Sequence, residues 1–274
     1  MKISRTAIAL TAVAIAAVGL AYENNSLCMS EYVFESEKVS PAFDGFKICH
    51  LSDIHNRRFG EENSRLLDIV SGQSPDIIVI SGDLVDSRKT DVGAALEIVE
   101  RLVGIAPVYY VSGNHEEKLP TAIYDYLMEN LLVLGVNLLD GRAETIERNG
   151  EFISIAGLFD KKDFPMKSAK GLVREDMLNI LINHRPQFAA EFASAGFDLA
   201  FCGHAHGGQM RIPGIGGLIA PDQLLFPEYS EGMHFFGDKA TVISRGLGNS
   251  LVPMRINNRP EVVMVRLGSI ETKI

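Results

Sequence analysis

With 274 residues, 46% of them hydrophobic, the chain can bury a sizeable core, and disordered or fibrous classes are excluded. Its 35 acidic against 26 basic residues give a net charge of −9, which repels a phosphate backbone, so no nucleic-acid scaffold role is expected. An anionic substrate still suits an acidic protein if divalent cations line its site, because an ion's own charge dominates the local field.

The chain opens on 17 uncharged residues, Thr6 to Tyr22, with Lys2 and Arg5 before them and Glu23, Glu31, Glu35 and Glu37 after. A helix of that length spans about 25 Å, slightly short of a hydrocarbon core of about 30 Å. The pattern predicts a transmembrane anchor or a cleavable signal, Gly19-Leu20-Ala21 supplying the small residues that a signal peptidase reads. Basic residues on the N-terminal flank place the bulk of the chain on the outer face of the cell membrane as a single-pass protein, or outside it after signal cleavage. Cys28, Cys49 and Cys202 form no CxxC pair. They are expected to be free, with no disulfide framework and no structural zinc site.

After a linker at Glu31 to Asp44, runs with strand character alternate with helical patterns. The strand-like runs are Phe46–Leu51, Ile77–Ser81, Val108–Val111, Ile153–Ala156, Asn179–Ile182 and Leu199–Cys202. Helical spacing of apolar residues marks Asn63–Ser71, Val92–Val103 and Thr121–Leu131. The alternation predicts an α/β fold on a largely parallel sheet. From Pro213 onward the chain turns rich in Gly and Pro, and its last strand-like runs are Thr241–Ser244 and Val262–Leu267. No repeat or low-complexity tract divides this region, so one domain is expected.

In open α/β sheets ligands bind at the carboxyl ends of the strands, and there the sequence concentrates its polar chemistry. Five of these ends run into Asp53-Ile54-His55, Gly82-Asp83-Leu84-Val85-Asp86, Gly113-Asn114-His115-Glu116, Asn183-His184 and Gly203-His204-Ala205-His206. Five of the seven histidines fall in these turns. Oxygen and imidazole donors without thiolate suit manganese, iron or zinc. We assign a first ion to Asp53, His55, Asp83 and His206, and a second to Asp83, Asn114, His184 and His204, with Asp83 as the bridge. Two such ions lower the pKa of a water, hold phosphoryl oxygens and steady an in-line displacement. His115 adjoins a ligand without being needed as one, and is assigned as general acid to the leaving oxygen, its ring oriented by Asp86. His50 is expected in the core beside the site and His234 on the surface.

These residues resemble the five-block pattern of the calcineurin-like metallophosphoesterase superfamily, carried here by Asp53-Ile54-His55, Gly82-Asp83, Gly113-Asn114-His115-Glu116, His184 and Gly203-His204-Ala205-His206. Leu51 to His55, Gly203 to Gln209, Ser244 to Gly248 and Asn258 to Glu261 look more specifically like its membrane-anchored bacterial branch of phosphohydrolases and UDP-diacylglucosamine pyrophosphatases. The resemblance implies a four-layer α/β/β/α sandwich over residues 46–274, preceded by an anchor or signal at 1–27 and a linker and first strand region at 28–45. It implies a two-metal hydrolase of phosphodiester or pyrophosphate bonds on a small or lipid-linked phosphate ester, with no protein partner expected. Ser87 and Arg88 stand where the superfamily's protein phosphatases carry Arg and Gly after the second Asp, which weakens a phosphoprotein substrate. A phosphomonoesterase and a non-catalytic metal-binding regulatory module are the alternatives. The apolar stretch Ile215 to Phe226 is the candidate acyl-binding surface.

Overall fold

The computed structural model describes residues 5–249 and 254–270. A helix α1 (Arg5–Asn25) precedes strand β1 (Cys28–Ser36), then β2 (Lys47–Leu51), α2 (Ser64–Gln73), β3 (Ile77–Ile80), α3 (Val92–Val103), β4 (Val108–Tyr110), α4 (Thr121–Val133) and β5 (Asn137–Leu138). The second half holds β6 (Ala143–Arg148), β7 (Glu151–Gly157), α5 (Met166–Leu172), β8 (Leu178–Ile182), α6 (Ala189–Ala195) and β9 (Leu199–Cys202). Two minute hairpins follow, β10 (Arg211–Ile212) with β11 (Gly216–Gly217) and β12 (Ile219–Ala220) with β13 (Leu224–Leu225). The chain closes with β14 (Gly232–Phe236), β15 (Lys239–Ile243) and β16 (Glu261–Ser269).

Two six-stranded mixed sheets result, in the orders β1-β16-β2-β3-β4-β5 and β14-β15-β9-β8-β7-β6. Their central strands are apolar on both faces because each face is covered. Along β3, Ile77 and Val79 enter the core between the sheets, whereas Ile78 and Ile80 pack under α2 and α3. Along β9, Leu199 and Phe201 face the same inter-sheet core while Ala200 and Cys202 meet Phe192 of α6. This period of two, read on both sheets, produces the layers α/β/β/α. On α3, Ala95, Ile98, Val99 and Leu102 form one buried stripe, and the Asp91 carboxylate caps the helix by accepting the Ala94 N–H at 2.9 Å.

Three expectations are corrected. The start of the expected linker is strand, so the first strand region foreseen within 28–45 extends to Ser36: β1 pairs in parallel with β16 over nine residues, Cys28↔Glu261 to Ser36↔Ser269. Its half-exposed edge position and interspersed Glu31 and Glu35 leave little hydrophobic alternation to read. The strands read from the alternation as one largely parallel sheet are divided between two, as the α/β/β/α sandwich implied by the resemblance requires, and β6, β14 and β16 add antiparallel pairs to them. The N-terminal run does form a helix, yet among the described residues no helix is long and apolar enough to cross a membrane. Its many Ala and Thr residues keep it only moderately apolar, so a transmembrane span is not supported. Lys2, which the expected orientation uses, lies outside the described residues. The end of α1 is tied to the domain: Arg57 and Arg65 donate to the Asn24 and Asn25 carbonyls, and Asn24 Oδ1 accepts the Arg255 N–H at 3.0 Å. Cations suit a helix C-terminus, where unpaired carbonyls point outward.

Candidate metal centre and active site

The carboxyl ends of β2, β3, β4, β8 and β9 converge on one edge of the sandwich. Their turns leave the strands sharply, and Asp53, His55, Asp83, His204 and His206 all take left-handed φ between 48° and 65°. Such conformations are uncommon for residues with a side chain and cluster at functional sites. The turns also pass very close to one another. A Cβ on Gly113 would lie 2.3 Å from Asp83 Oδ1, and one on Gly203 would lie 1.8 Å from Ser52 Oγ. Only glycine admits that approach.

Within this edge two groups of lone-pair donors form, each lying within 4.8 Å: Asp53, His55, Asp83 and His206 in one, and Asp83, His184 and His204 in the other. In the first, His206 Nε2 is 3.4 Å from both Asp53 Oδ1 and His55 Nε2, and His55 Nε2 is 3.6 Å from Asp83 Oδ2. In the second, His184 Nε2 is 3.3 Å from the same Asp83 Oδ2 and 3.1 Å from His204 Nδ1. Asn114 brings one end of its amide to 2.8 Å from His204 Nδ1, and Lys118 Nζ sits 2.8 Å from the other end. All seven residues assigned as ligands are thus brought together, and all are buried. Buried carboxylates and imidazoles aimed at common points fit two divalent cations, and Asp83 Oδ2 is the atom common to both donor groups.

Electrostatics support that fit. Burial opposes charge on His184, yet the Asp83 carboxylate and their hydrogen bond push its pKa up to about 10. Burial likewise opposes the Asp83 carboxylate, and His184 nevertheless holds it well below the usual range. Desolvation pushes His55 down to about 4 and His206 well down, so both rings are neutral with lone pairs available. The site is braced from behind. Ser52 Oγ donates to Asp53 Oδ2 at 2.7 Å, the His115 N–H donates to Asp83 Oδ1 at 2.8 Å, and His184 Nδ1 meets the Ser81 carbonyl at 2.7 Å. His50, expected in the core, is fully buried with Nε2 2.8 Å from Ser81 Oγ, which in turn donates to Ser52 Oγ.

His115 reaches the site with Nε2 4.0 Å from Asp83 Oδ2. The expected orienting role of Asp86 is only partly reproduced. Asp86 Oδ1 lies 3.4 Å from His115 Nδ1, but the backbone N–H of Ser87 donates to that nitrogen at 3.0 Å. Asp86 is instead engaged by Arg88, which donates to both its oxygens at 2.9 and 2.7 Å. Because Nδ1 accepts from Ser87, the ring's proton resides on Nε2, facing the site. Burial lowers the pKa of this ring too.

Three contributors escaped the reading of the sequence. Glu116 is buried and accepts three backbone N–H groups, from Asp83 at 2.9, Val85 at 2.9 and Gly113 at 2.7 Å, locking two of the turns together. Burial and the neighbouring Asp83 push its pKa up to about 7. Its place directly after Asn114-His115 was the available signal. Arg185, clasped by Asp160, and Asp222 on the β12–β13 hairpin carry no local motif, because distant segments bring them together. With Arg88, Lys118 and Lys162 they line a cavity of about 520 Å³ over the donor groups.

The profile of the calcineurin-like phosphoesterase family matches residues 46–208. The chain belongs to that family. It is 30% identical to "Phosphodiesterase YaeI" of Escherichia coli over 81% of this chain and 82% of that one. It is 28% identical to "Uncharacterized metallophosphoesterase YkuE" of Bacillus subtilis, over 88% of this chain and 85% of that one. Among solved structures, TT1561 of Thermus thermophilus aligns with a TM-score of 0.49 at 13% identity, covering 74% of this chain and 90% of that one. The chain is therefore a metal-dependent phosphoester hydrolase with a site for two divalent ions.

Proposed function

We propose that this hydrolase cleaves phosphodiester or pyrophosphate bonds, with the first ion held by Asp53, His55, Asp83 and His206 and the second by Asp83, Asn114, His184 and His204. Two ions there would supply Lewis-acid activation of a water and neutralise charge on the phosphoryl oxygens. The chain's own residues supply the rest. His115 presents Nε2–H from the cavity side of Asp83 and is the proton donor to the leaving oxygen, held by the Ser87 N–H. The observation that carries the choice of bond is the cavity of about 520 Å³, lined by Arg88, Lys118, Lys162 and Arg185 beside the donor groups. That volume and that ring of cations accommodate a second charged group joined to the scissile phosphate.

The test is turnover by the metal-stripped protein reloaded with manganese. Phosphodiester or pyrophosphate compounds are expected to exceed matched phosphomonoesters in kcat/KM. The reverse order would replace this reading with a phosphomonoesterase. A lipid-linked substrate such as UDP-diacylglucosamine is a second reading, supported by Ile215, Leu224, Leu225 and Phe226, exposed by 66, 76, 64 and 58% on the segment whose Pro221 and Asp222 line the cavity. It requires faster hydrolysis of the acylated compound than of its deacylated counterpart.

A further inference from the structure

His204 divides its two ring nitrogens between different tasks. Nδ1 turns inward, 3.1 Å from His184 Nε2 and 2.8 Å from the Asn114 amide. Nε2 turns outward to Asp222 Oδ2 at 2.9 Å. An ionised carboxylate can only accept, so this contact places the ring proton on Nε2 and leaves Nδ1 as a bare lone pair. Asp222 is held in place in turn. It forms an ion pair with Arg185, whose Nε and Nη2 are donated to Asp160 at 2.6 and 2.7 Å, and the Arg185 and Asp160 side chains are only 8% and 0% exposed. The backbone of Asp222 is itself left-handed, at φ 60°, which turns its carboxylate from the hairpin into the site.

We infer that Asp222 is a positioning residue for the second metal ion: through His204 it selects the tautomer able to ligate, and through Arg185 it couples the β12–β13 hairpin to that ion. A carboxylate behind a ligating imidazole fixes ring orientation and raises its basicity, and losing such a partner typically costs about 10–100-fold in metal affinity. The first ion's imidazoles have no counterpart, since Nδ1 of both His55 and His206 is buried without a partner. The effect is therefore confined to the second ion. This inference rests on the proposed ligation of that ion by His204.

The experiment is a Mn(II) titration of the full metal-stripped chain, read by electron paramagnetic resonance, with the His204 tautomer read separately by ¹⁵N chemical shifts in the metal-free protein. Asp222→Ala is expected to weaken the second ion by roughly 10–100-fold, leave the first within about twofold, and populate the Nδ1–H tautomer of His204. Asp222→Asn, which keeps an acceptor but not the charge, is expected to fall between. The Arg185–Asp160 pair remains in both variants, so an unchanged melting temperature without metal is expected. The inference is overturned if Asp222→Ala binds both ions as the wild type does, loses both together, or leaves the tautomer unchanged. His204→Ala separates the two layers of the argument. Two ions bound there at wild-type affinity would remove the ligand assignment itself, and the inference with it.

Discussion

The two halves of the metal centre are built differently. The half made by Asp53, His55 and His206 is buried, its side chains 4% exposed or less, and the outer nitrogens of both imidazoles meet no polar partner. The half made by Asn114, His184 and His204 reaches the cavity through Asn114 and His204, as the first does through His206, but each of its imidazoles is backed by an oxygen, the Ser81 carbonyl for His184 and the Asp222 carboxylate for His204. The imidazoles of the first half are held by their turns and packing alone, whereas those of the second are also held by hydrogen bonds, one to the buried Ser81 carbonyl and one to Asp222 at the cavity wall. Affinity at the first is thus a property of the fold, whereas the second is open to adjustment by loops.

The largest effect follows from removing what the halves share. Asp83→Asn weakens the one carboxylate oxygen that faces both donor groups, so both ions are expected to bind far more weakly and metal-dependent hydrolysis to fall to background. Metal analysis after gel filtration checks this, and retention of one ion at full occupancy would show the halves to be independent. Next comes Glu116→Ala, which strips the acceptor from three buried backbone N–H groups. An unsatisfied buried donor costs about 1–3 kcal/mol, so a loss of about 3 kcal/mol or more is expected in urea unfolding of the metal-free protein. His115→Ala is expected to lower kcat by roughly 10²–10⁴-fold while both ions remain bound, because its ring belongs to neither donor group. Loss of an ion with the ring would make it a ligand.

Why the halves differ also explains how much of them the sequence disclosed. The ligands themselves were legible because each lies directly after a short apolar strand, and Asp, His and Asn in such turns serve no packing purpose. Glu116 and Ser87 stood beside recognised residues, but their roles depend on which backbone amides come within 3.0 Å, a matter of turn geometry. Asp222 was beyond reach, since its partners are 18 and 37 residues away and meet it only through tertiary packing. The same limit applies to the fold. Helices and buried strands announced themselves by period, while β1 is defined by a partner more than 230 residues along the chain.

The smallest effect concerns what orients His115. A carboxylate partner and a backbone amide make opposite demands on Nδ1: the first needs a proton there, the second a lone pair. The Ser87 N–H lies closer, at 3.0 Å against 3.4 Å, and Asp86 is drawn to Arg88. Burial opposes the Asp86 carboxylate, but the Arg88 guanidinium outweighs it and holds the pKa down to about 2, so Asp86 is charged and already paired. Its side chain is 14% exposed and that of Arg88 39%, and solvent-screened pairs of this kind contribute about 1 kcal/mol or less. Asp86→Asn is therefore expected to lower kcat by less than about tenfold, with both ions retained and KM little changed. A loss as large as that of His115→Ala would show instead that the carboxylate sets the ring, and that Nδ1 carries the proton when substrate is bound.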